Sequence, residues 1–365
     1  MLILGRRDLF LEVLDPTRCG GHELAWILPA LGHSDHRRGR AHAREGVVVW
    51  PARDLEVNEL SLFIAGISGE TVRITNPRTD VSLVKTYIEL MKLRIIELLL
   101  ITTLPAMVVA AGGWPGWWLA LATLIGGTMS SAGANAINQV IDRDIDRLMG
   151  RTRGRPLPTE RVSTRAVLTF GITLGVAGFF WLWATTNLLA ATLSTVGLLF
   201  YVFVYSLLLK RTTTQNIVIG GAAGAVPTLV GWAAVNDGLA LPAWIMFAIV
   251  FFWTPPHFWA LAVRYRKDYE RAGVPMLPVV VGEKRAMEHM VAYTVVLVGV
   301  TLLLYATGAV GWLYLVVAAL AGAAFLAGTW MLRDHPEAAM RYFGYSNVYL
   351  SVVFIVMAVD VLVAP

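Results

Sequence analysis

The chain contains very little cysteine and little charge. Cys19 is the only cysteine in 365 residues, which excludes an intramolecular disulfide and a cysteine-based zinc centre. Charged residues make up 15% of the sequence, whereas 56% of the residues are hydrophobic and the mean hydropathy is +0.62. A soluble globular domain usually has about 25% charged residues. The composition therefore predicts a protein that lies mostly within a membrane.

Long apolar runs recur along the chain from about residue 93, and each is close to the roughly 20 residues that a helix needs to cross a bilayer. We expect an all-α polytopic membrane protein with nine transmembrane helices in a bundle around a central cavity. The expected spans are residues 93–112, 115–137, 164–186, 188–209, 215–235, 239–263, 289–309, 312–332 and 346–363.

Lysine and arginine occur in alternate connections between these runs. The connections after the second, fourth, sixth and eighth runs contain them, whereas residues 113–115, 185–187, 236–239 and 310–311 contain none. Short loops rich in these residues stay cytoplasmic, so we expect a cytoplasmic N-terminus and an external C-terminus in the inner or plasma membrane. This topology explains the net charge of +5 without nucleic-acid binding.

Residues 1–80 differ from the rest because they contain no apolar run long enough to span a membrane. They are rich in arginine and glycine, and residues 37–44 form a basic segment. We expect a disordered N-terminal extension, or a translation start assigned too far upstream, before a nine-helix domain at residues 81–365. The alternative is a regulatory or lipid-binding role, because polybasic stretches near membranes can bind anionic lipid.

Three polar residues with a spacing of four follow the second apolar run: Asn138, Asp142 and Asp146. A helix has about 3.6 residues per turn, so these side chains share one face. Two carboxylates at this spacing repel each other unless a cation lies between them. Mg²⁺ is typically held by one or two carboxylates together with water and substrate phosphate. The spacing therefore indicates a metal site.

Arginines follow this column closely, among them Arg151 and Arg155. Guanidinium groups bind oxyanions in a bidentate manner, so acids that hold a cation and arginines beyond them suit a diphosphate bridged by metal. The alternative is that the acids only pair with Arg143 and Arg147 on a solvated helix end. Polar columns that enter a membrane are costly and usually functional, which favours the metal-diphosphate interpretation.

A second candidate region begins with two prolines inside the sixth apolar run, Pro255 and Pro256. Prolines interrupt helical hydrogen bonding, and such interruptions usually face protein or a cavity. The next residue, His257, is therefore expected to point inward, where it binds a heme iron or a propionate, or only satisfies the carbonyls freed by the prolines. Asp268 is expected to supply a further carboxylate to the metal.

Lys210 and Arg211 follow the fourth run. They are expected either to clamp a phosphate or carboxylate, or only to mark a cytoplasmic helix end.

Several motifs carry a resemblance to a known family. The motif N-x-x-x-D-x-x-x-D at 138–146, followed by R-T-x-x-R-P at 151–156, resembles the signature of the UbiA superfamily of intramembrane prenyltransferases. Within that superfamily, T-P-P-H-F-W at 254–259 and D-Y-x-x-A-G-V-P-M-L-P at 268–278 are similar to the protoheme IX farnesyltransferase family.

The chain departs from the family pattern at two positions. It reads Lys92-Leu93-Arg94 where members commonly have Lys-Pro-Arg, so both cations are kept. Ala272 stands four residues after Asp268, where many relatives in the superfamily have a second aspartate. That alanine is similar to the heme branch and argues against prenyl transfer to a quinone ring.

The resemblance implies that the enzyme uses farnesyl diphosphate and heme B as substrates and Mg²⁺ as cofactor. Heme A synthase or a terminal oxidase assembly would be its protein partners. It implies that Mg²⁺-diphosphate is held by Asn138, Asp142, Asp146 and Asp268, with diphosphate contacts from Arg94, Arg151, Arg155, Lys210 and Arg211. A polytopic transporter or a non-catalytic heme-binding assembly factor is the rival interpretation. Transporters place their polar residues near the midplane, whereas most charges here lie at helix ends.

Overall fold

The computed structural model describes residues 2–4, 8–12, 47–51 and 82–363, and the chain divides into two units, Met1–Ser82 and Leu83–Pro365. The first unit contains an antiparallel sheet in the order β1-β2-β3, in which Phe10 lies opposite Ile3 and Val49. Its strands are β1 (Leu2–Leu4), β2 (Asp8–Glu12) and β3 (Val47–Pro51). The basic segment at 37–44 lies outside the described residues, and the disorder of residues 1–80 stays a prediction.

The second unit is helical throughout residues 83–363, apart from its connections. A π-helix, Phe200–Leu209, continues α6, and short 3-10 turns occur at Leu304–Thr307 and Pro336–Ala338. The α-helices are α1 (Leu83–Met91), α2 (Leu93–Ala111), α3 (Trp117–Ile141), α4 (Arg143–Leu148), α5 (Thr164–Thr185), α6 (Leu188–Leu199), α7 (Asn216–Asn236), α8 (Leu241–Arg264), α9 (Arg266–Arg271), α10 (Leu277–Val281), α11 (Glu283–Leu303), α12 (Trp312–Leu332) and α13 (Ala339–Val363).

Within the described part of the chain, seven helical segments are long and apolar enough to cross a membrane. They are Thr164–Thr185, Leu188–Leu209, Asn216–Asn236, Leu241–Arg264, Glu283–Thr307, Trp312–Leu332 and Pro336–Val363. The two remaining expected spans correspond to α2 and α3, which are helices as well. The all-α, multi-pass membrane fold is therefore confirmed for the second unit, while the count of nine crossings stays a prediction.

The helices of the second unit pack in a closed order. Helix α3 lies against α5, α5 against α6, α6 against α7 and α7 against α8. The order continues through α11, α12 and α13, and α13 returns to α2, which contacts α3 and α7. Helix α8 is the most buried of the seven apolar segments. A helix that is apolar all round, as α8 is, packs stably only when it is surrounded by protein or lipid.

Helices α3 and α5 approach each other closely at two glycines. A Cβ atom on Gly133 would lie 2.6 Å from the carbonyl oxygen of Gly171, and one on Gly171 would lie 2.7 Å from Ile137 Cγ1. Small residues allow this backbone approach inside membranes. The contact fixes the end of α3 against α5. We call this end of the bundle, which carries Arg143, Arg165 and Arg211, the basic end.

Candidate active site

The predicted polar column lies at the junction of α3 and α4 at the basic end. Helix α3 ends at Ile141, Asp142 has non-helical dihedral angles, and α4 begins at Arg143. The turn is continuous through this junction, because the N–H of Asp146 donates to the carbonyl of Asp142 at 2.7 Å. The three column residues, Asn138, Asp142 and Asp146, are each at most 2% exposed.

Asn138 and Asp142 form a directly bonded pair. Asn138 Nδ2 donates to Asp142 Oδ2 at 2.8 Å and to Ser206 Oγ at 3.0 Å. Lys210 Nζ donates to the same Asp142 oxygen at 2.5 Å. Asp142 Oδ1 is buried and has no hydrogen-bond partner among the described residues. A buried carboxylate oxygen without a partner is rare, because desolvation penalises it, and it marks a place where a cation would bind favourably.

The third acid of the column, Asp146, is bound by arginine. Arg155 Nη1 contacts both carboxylate oxygens of Asp146, at 2.8 and 2.7 Å. The loop after α4 thus folds back over that helix. It brings Arg155, a predicted diphosphate-binding residue, into contact with Asp146, a predicted metal ligand. Asp146 therefore has a charge partner within the chain.

Asp144 lies off the shared face, and its partner is not a neighbour in sequence. Arg211 donates two hydrogen bonds to its carboxylate, both at 2.7 Å, and a third to Ile141 O at 2.8 Å. The hydrogen bond from Arg211 lowers the pKa of Asp144 to about 2. Arg143 and Arg147, the partners expected from sequence, contact Glu160 instead.

Lys92 is a site residue that was not among the predicted diphosphate contacts. Its ammonium donates to Asn138 Oδ1 at 2.8 Å from a left-handed backbone conformation (φ 55°, ψ 53°) between α1 and α2. Two amides of α3 hold this turn: Asn135 donates to Met91 O at 3.1 Å and Gln139 donates to Leu90 O at 2.9 Å. The sequence feature that could have identified Lys92 is the segment Lys92-Leu93-Arg94, which keeps the lysine of the family's Lys-Pro-Arg pattern.

The two lysines of the site respond differently to their surroundings. Burial, with repulsion from Arg155, lowers the pKa of Lys92 to about 7, against the attraction of Asp142. Burial acts on Lys210 in the same direction, but the adjacent Asp142 outweighs it and raises the pKa of Lys210 above its ordinary value. Lys210 is therefore a fixed positive charge, while Lys92 can donate a hydrogen bond in either protonation state.

Ser206 is a second residue that sequence reasoning missed. It lies on the π-helix, is fully buried, and donates to Tyr201 O at 2.8 Å while it accepts from Asn138. π-Helical turns occur frequently at functional sites. One serine inside an apolar run gives no spacing signal, so only the fold reveals that it faces Asn138.

Asp268 lies on α9 and contacts the loop that follows α4. Gly150 N donates to its Oδ2 at 3.1 Å, and Arg271 pairs with its Oδ1. In the same loop, Arg151 donates to Tyr269 Oη at 3.3 Å and lies 5.3 Å from the ring centre of Tyr265. The two predicted acidic segments therefore meet at the basic end.

The acids do not form one compact metal cluster. Among the described residues, no three or more His, Cys, Asp or Glu side chains are grouped closely enough to hold a metal ion. The joint ligation of a metal by the four predicted residues, Asp268 included, therefore stays a prediction. Arg94 belongs to α2, and its side chain lies outside the described part of the structure.

His257 lies inside α8, which continues as an α-helix through Pro255 and Pro256. Its ring is 5% exposed and is stacked between Trp253 and Phe343, with ring centres 4.1 Å away on each side. Its Nδ1 contacts Ser346 Oγ on α13 at 2.7 Å. The polar contact of His257 is thus a hydroxyl of another helix, rather than a carbonyl freed by the prolines.

Ser346 determines which nitrogen of His257 carries the proton. The Ser346 hydroxyl donates to Phe343 O at 2.8 Å, so its single proton is used in that bond. The tautomer that satisfies both contacts has Nδ1–H donating to Ser346 Oγ, and it leaves a lone pair on Nε2 of the neutral imidazole. No described residue bonds Nε2, so this nitrogen can accept a hydrogen bond or bind a metal.

Several solved structures share the fold of this chain. A structure described as digeranylgeranylglyceryl phosphate synthase has a TM-score of 0.64 at 20% identity, covering 76% of this chain and 98% of its own. A UbiA homolog from Archaeoglobus fulgidus bound to DMAPP and Mg²⁺ has a TM-score of 0.55 at 18% identity, covering 75% and 99%. At these identities the likeness shows the fold alone.

Sequence relatives are much more similar. A protein from Saccharopolyspora erythraea named protoheme IX farnesyltransferase 2 is 51% identical over 309 residues, which is 83% of this chain and 94% of the relative. A protoheme IX farnesyltransferase from Mycobacterium tuberculosis is 51% identical over 283 residues, covering 76% and 91%. The model of the UbiA prenyltransferase family matches residues 99–355. The chain therefore belongs to the UbiA prenyltransferase family and is a prenyltransferase.

Proposed function

We propose that this enzyme transfers the farnesyl group of farnesyl diphosphate to a vinyl group of heme B, giving heme O and diphosphate. Relatives that share 51% identity carry the name of that activity, which supports the choice of substrates. The observation on this chain that carries the proposal is the buried Asn138–Asp142 pair, with one free carboxylate oxygen and Lys210 beside it.

The residues present fit a bound Mg²⁺. The free Oδ1 of Asp142 is a hard oxygen ligand of the kind that this ion prefers, and the A. fulgidus homolog was solved with Mg²⁺. Asn138, Asp142, Asp146 and Asp268 are the residues that we propose to hold it. When bound, Mg²⁺ would neutralise diphosphate charge as a Lewis acid. Arg155 and Arg271 pair with Asp146 and Asp268, so binding of the metal by these two acids would compete with the arginines.

Displacement of these basic side chains from the acids would also supply contacts to diphosphate. Arg155 and Lys210 now bind carboxylates, and a diphosphate offers them a more highly charged oxyanion. Lys92, Arg94, Arg151 and Arg211 complete the proposed cationic set. As the bond between C1 and oxygen of farnesyl diphosphate breaks, negative charge grows on the leaving group, and cations already positioned there stabilise that charge.

The departing diphosphate leaves an allylic cation on the farnesyl chain. The terminal carbon of a heme vinyl group donates its π electrons to this cation, forming the new C–C bond. The second cation, on the inner vinyl carbon, takes up water and releases a proton, which gives the hydroxyethylfarnesyl group. Apolar surroundings protect the first cation from early capture by water.

His257 is our proposed contact to heme. A neutral imidazole with a lone pair on Nε2 suits the heme iron, whereas a propionate would require a donor at that nitrogen. The structure thus favours iron over propionate among the predicted roles. Hydrogen bonding of the other ring nitrogen commonly orients a metal-binding histidine, and Ser346 supplies that contact here.

We further propose that the basic end faces the cytoplasm. The alternation of Lys and Arg between connections supports a cytoplasmic N-terminus and an external C-terminus in the inner or plasma membrane. Farnesyl diphosphate would then reach the site from the cytoplasm. Heme A synthase or a terminal oxidase assembly is the proposed partner that receives the product.

The test is to incubate purified protein with heme B, farnesyl diphosphate and Mg²⁺, and to measure heme mass by chromatography with mass spectrometry. We expect a heme that has gained one hydroxyethylfarnesyl group in place of a vinyl group. Geranyl diphosphate, with a shorter chain, is the control for donor length. If no condition yields product while heme still binds, the assembly-factor function replaces the proposal; if neither substrate binds, the transporter function does.

A further inference from the structure

An apolar groove of about 660 Å³ opens on the outer surface of the bundle between α3, α5, α6 and the π-helix. Its walls are side chains that are half exposed, such as Ile172 and Val176 on α5 and Phe203 on the π-helix. The one polar side chain in its lining, Thr195, donates its hydroxyl to Ala191 O at 3.0 Å. The groove therefore offers no hydrogen-bonding group to an occupant.

Close helix approach forms the floor of this groove. A Cβ atom on Gly175 would lie 2.9 Å from Leu198 Cδ1, so α5 and α6 touch where the glycine lacks a side chain. Ile137 and Ile141 of α3 close the floor from the other side. They are neighbours in sequence of Asn138 and Asp142, but neither polar residue lines the groove, so the groove is separate from the candidate active site.

The groove runs along α5 for about the depth of one leaflet. Its lining extends from Leu168 to Phe180 on that helix. At a rise of about 1.5 Å per residue these positions are about 18 Å apart, compared with about 15 Å for half of a bilayer's hydrocarbon core. A single acyl chain entering at the basic end would fill this length.

Positive charge lies at that end of the groove. Arg165 is on the same face of α5 one turn before Leu168, is exposed, and forms no ion pair with any described residue. Arg143 donates to Thr164 Oγ1 at 3.3 Å on the same side, and Arg211 donates to Ile141 O on the other.

The acids near this mouth already have partners. Asp144 is bound by Arg211, and Glu160 by Arg147 with Arg143 at the limit of contact. Arg165 is therefore available to an external anion.

The geometry points to a binding site for one anionic phospholipid of the leaflet on the basic side. One acyl chain occupies the groove, and the phosphate contacts Arg165 with Arg143 beside it. The length of the groove matches the depth of one leaflet. The unpaired guanidinium of Arg165 matches the negative charge of the headgroup. The proposed lipid site requires that the chain lies in a membrane, and it does not depend on the proposed farnesyl transfer.

The test compares lipid binding to delipidated full-length protein by native mass spectrometry, with phosphatidylglycerol and phosphatidylcholine of identical chains. We expect phosphatidylglycerol to bind about fivefold more tightly, since a basic side chain near the surface contributes about that factor. Arg165→Gln should remove the preference, while Ile172→Trp, which fills the groove, should weaken binding of both lipids.

Helix α11 supplies matched controls. Arg285→Gln removes an exposed cation at the basic end, and Val295→Trp enlarges a side chain that is 52% exposed, close to the 51% of Ile172. Both controls should bind lipid as the wild type does. Thermal unfolding in detergent alone should be the same for all four variants.

Equal affinity for the two lipids, or equal effects of the α5 and α11 variants, would overturn the proposal. A protein dimer that persists without lipid and disappears with Ile172→Trp would instead assign the groove to a second copy of the chain.

Discussion

The ion pair between Lys210 and Asp142 gives a test that separates the stability of the site from its chemistry. Their atoms are 2.5 Å apart, and the two side chains are 14% and 1% exposed. At this distance the attraction is about 7 kcal/mol for an effective dielectric constant of about 20, before desolvation is subtracted. Removing one partner of a buried pair typically costs about 3–5 kcal/mol, because the other charge stays buried alone.

Asp142→Asn should therefore lower the free energy of unfolding by about 3–5 kcal/mol, since Lys210 loses its counter-charge. Farnesyl transfer should fall by about a thousandfold or more, because the free carboxylate oxygen is also lost. The double variant Asp142→Asn with Lys210→Met should recover most of the stability and none of the activity. Unfolding in mild detergent and heme O formation are the two measurements.

Asp144→Asn is the matched control, because Asp144 is an exposed acid off the column. Its loss should cost about 1 kcal/mol or less and leave farnesyl transfer near the wild-type rate. The reasoning is refuted if Asp142→Asn forms heme O at a rate close to that of the wild type, or if the double variant regains activity together with stability. Membrane insertion of Asp142→Asn and of Asp146→Asn should remain intact.

Three further outcomes follow from the described contacts. Arg155→Lys keeps the charge but loses the planar guanidinium, which suits bidentate contact with a diphosphate, so the KM for farnesyl diphosphate should rise about tenfold in steady-state kinetics. His257→Ala should abolish the heme Soret shift on binding while farnesyl diphosphate still binds, whereas Ser346→Ala should only weaken it. Because Arg211 lowers the pKa of Asp144 to about 2, below the ordinary value near 4, this pair stabilises the fold above about pH 4. The stability difference between wild type and Asp144→Asn should thus disappear as the pH falls from about 4 to 2 in acid unfolding.

The sequence predicted most of the fold, because apolar runs of membrane length have few alternatives to helices. Each of the nine runs is helical. Helices α2 and α3 are not among the seven described segments that are long and apolar enough to cross a membrane. The polar column was readable because its spacing is local. The position of the column at a junction of two helices could not be predicted, because one non-helical residue at Asp142 does not change the spacing of the column residues.

The partners of the column could not be predicted, because they come from distant parts of the chain. Lys210 is 68 residues from Asp142, and Lys92 is 46 residues from Asn138. Ser346 is 89 residues from His257, so the tautomer of the histidine depends on tertiary packing alone. The groove is equally invisible in sequence, since its side chains are those of any helix that faces lipid.

The π-helix between Phe200 and Leu209 makes the site sensitive to changes in chain length rather than only in residue type. Ser206 on this helix contacts Asn138. Lys210, which directly follows the last residue of the helix, contacts Asp142. One residue corresponds to a rotation of about 100° on an α-helix. Deleting a single residue between Ser206 and Lys210 would therefore turn the ammonium away from the carboxylate, although every amino acid at the site would still be present.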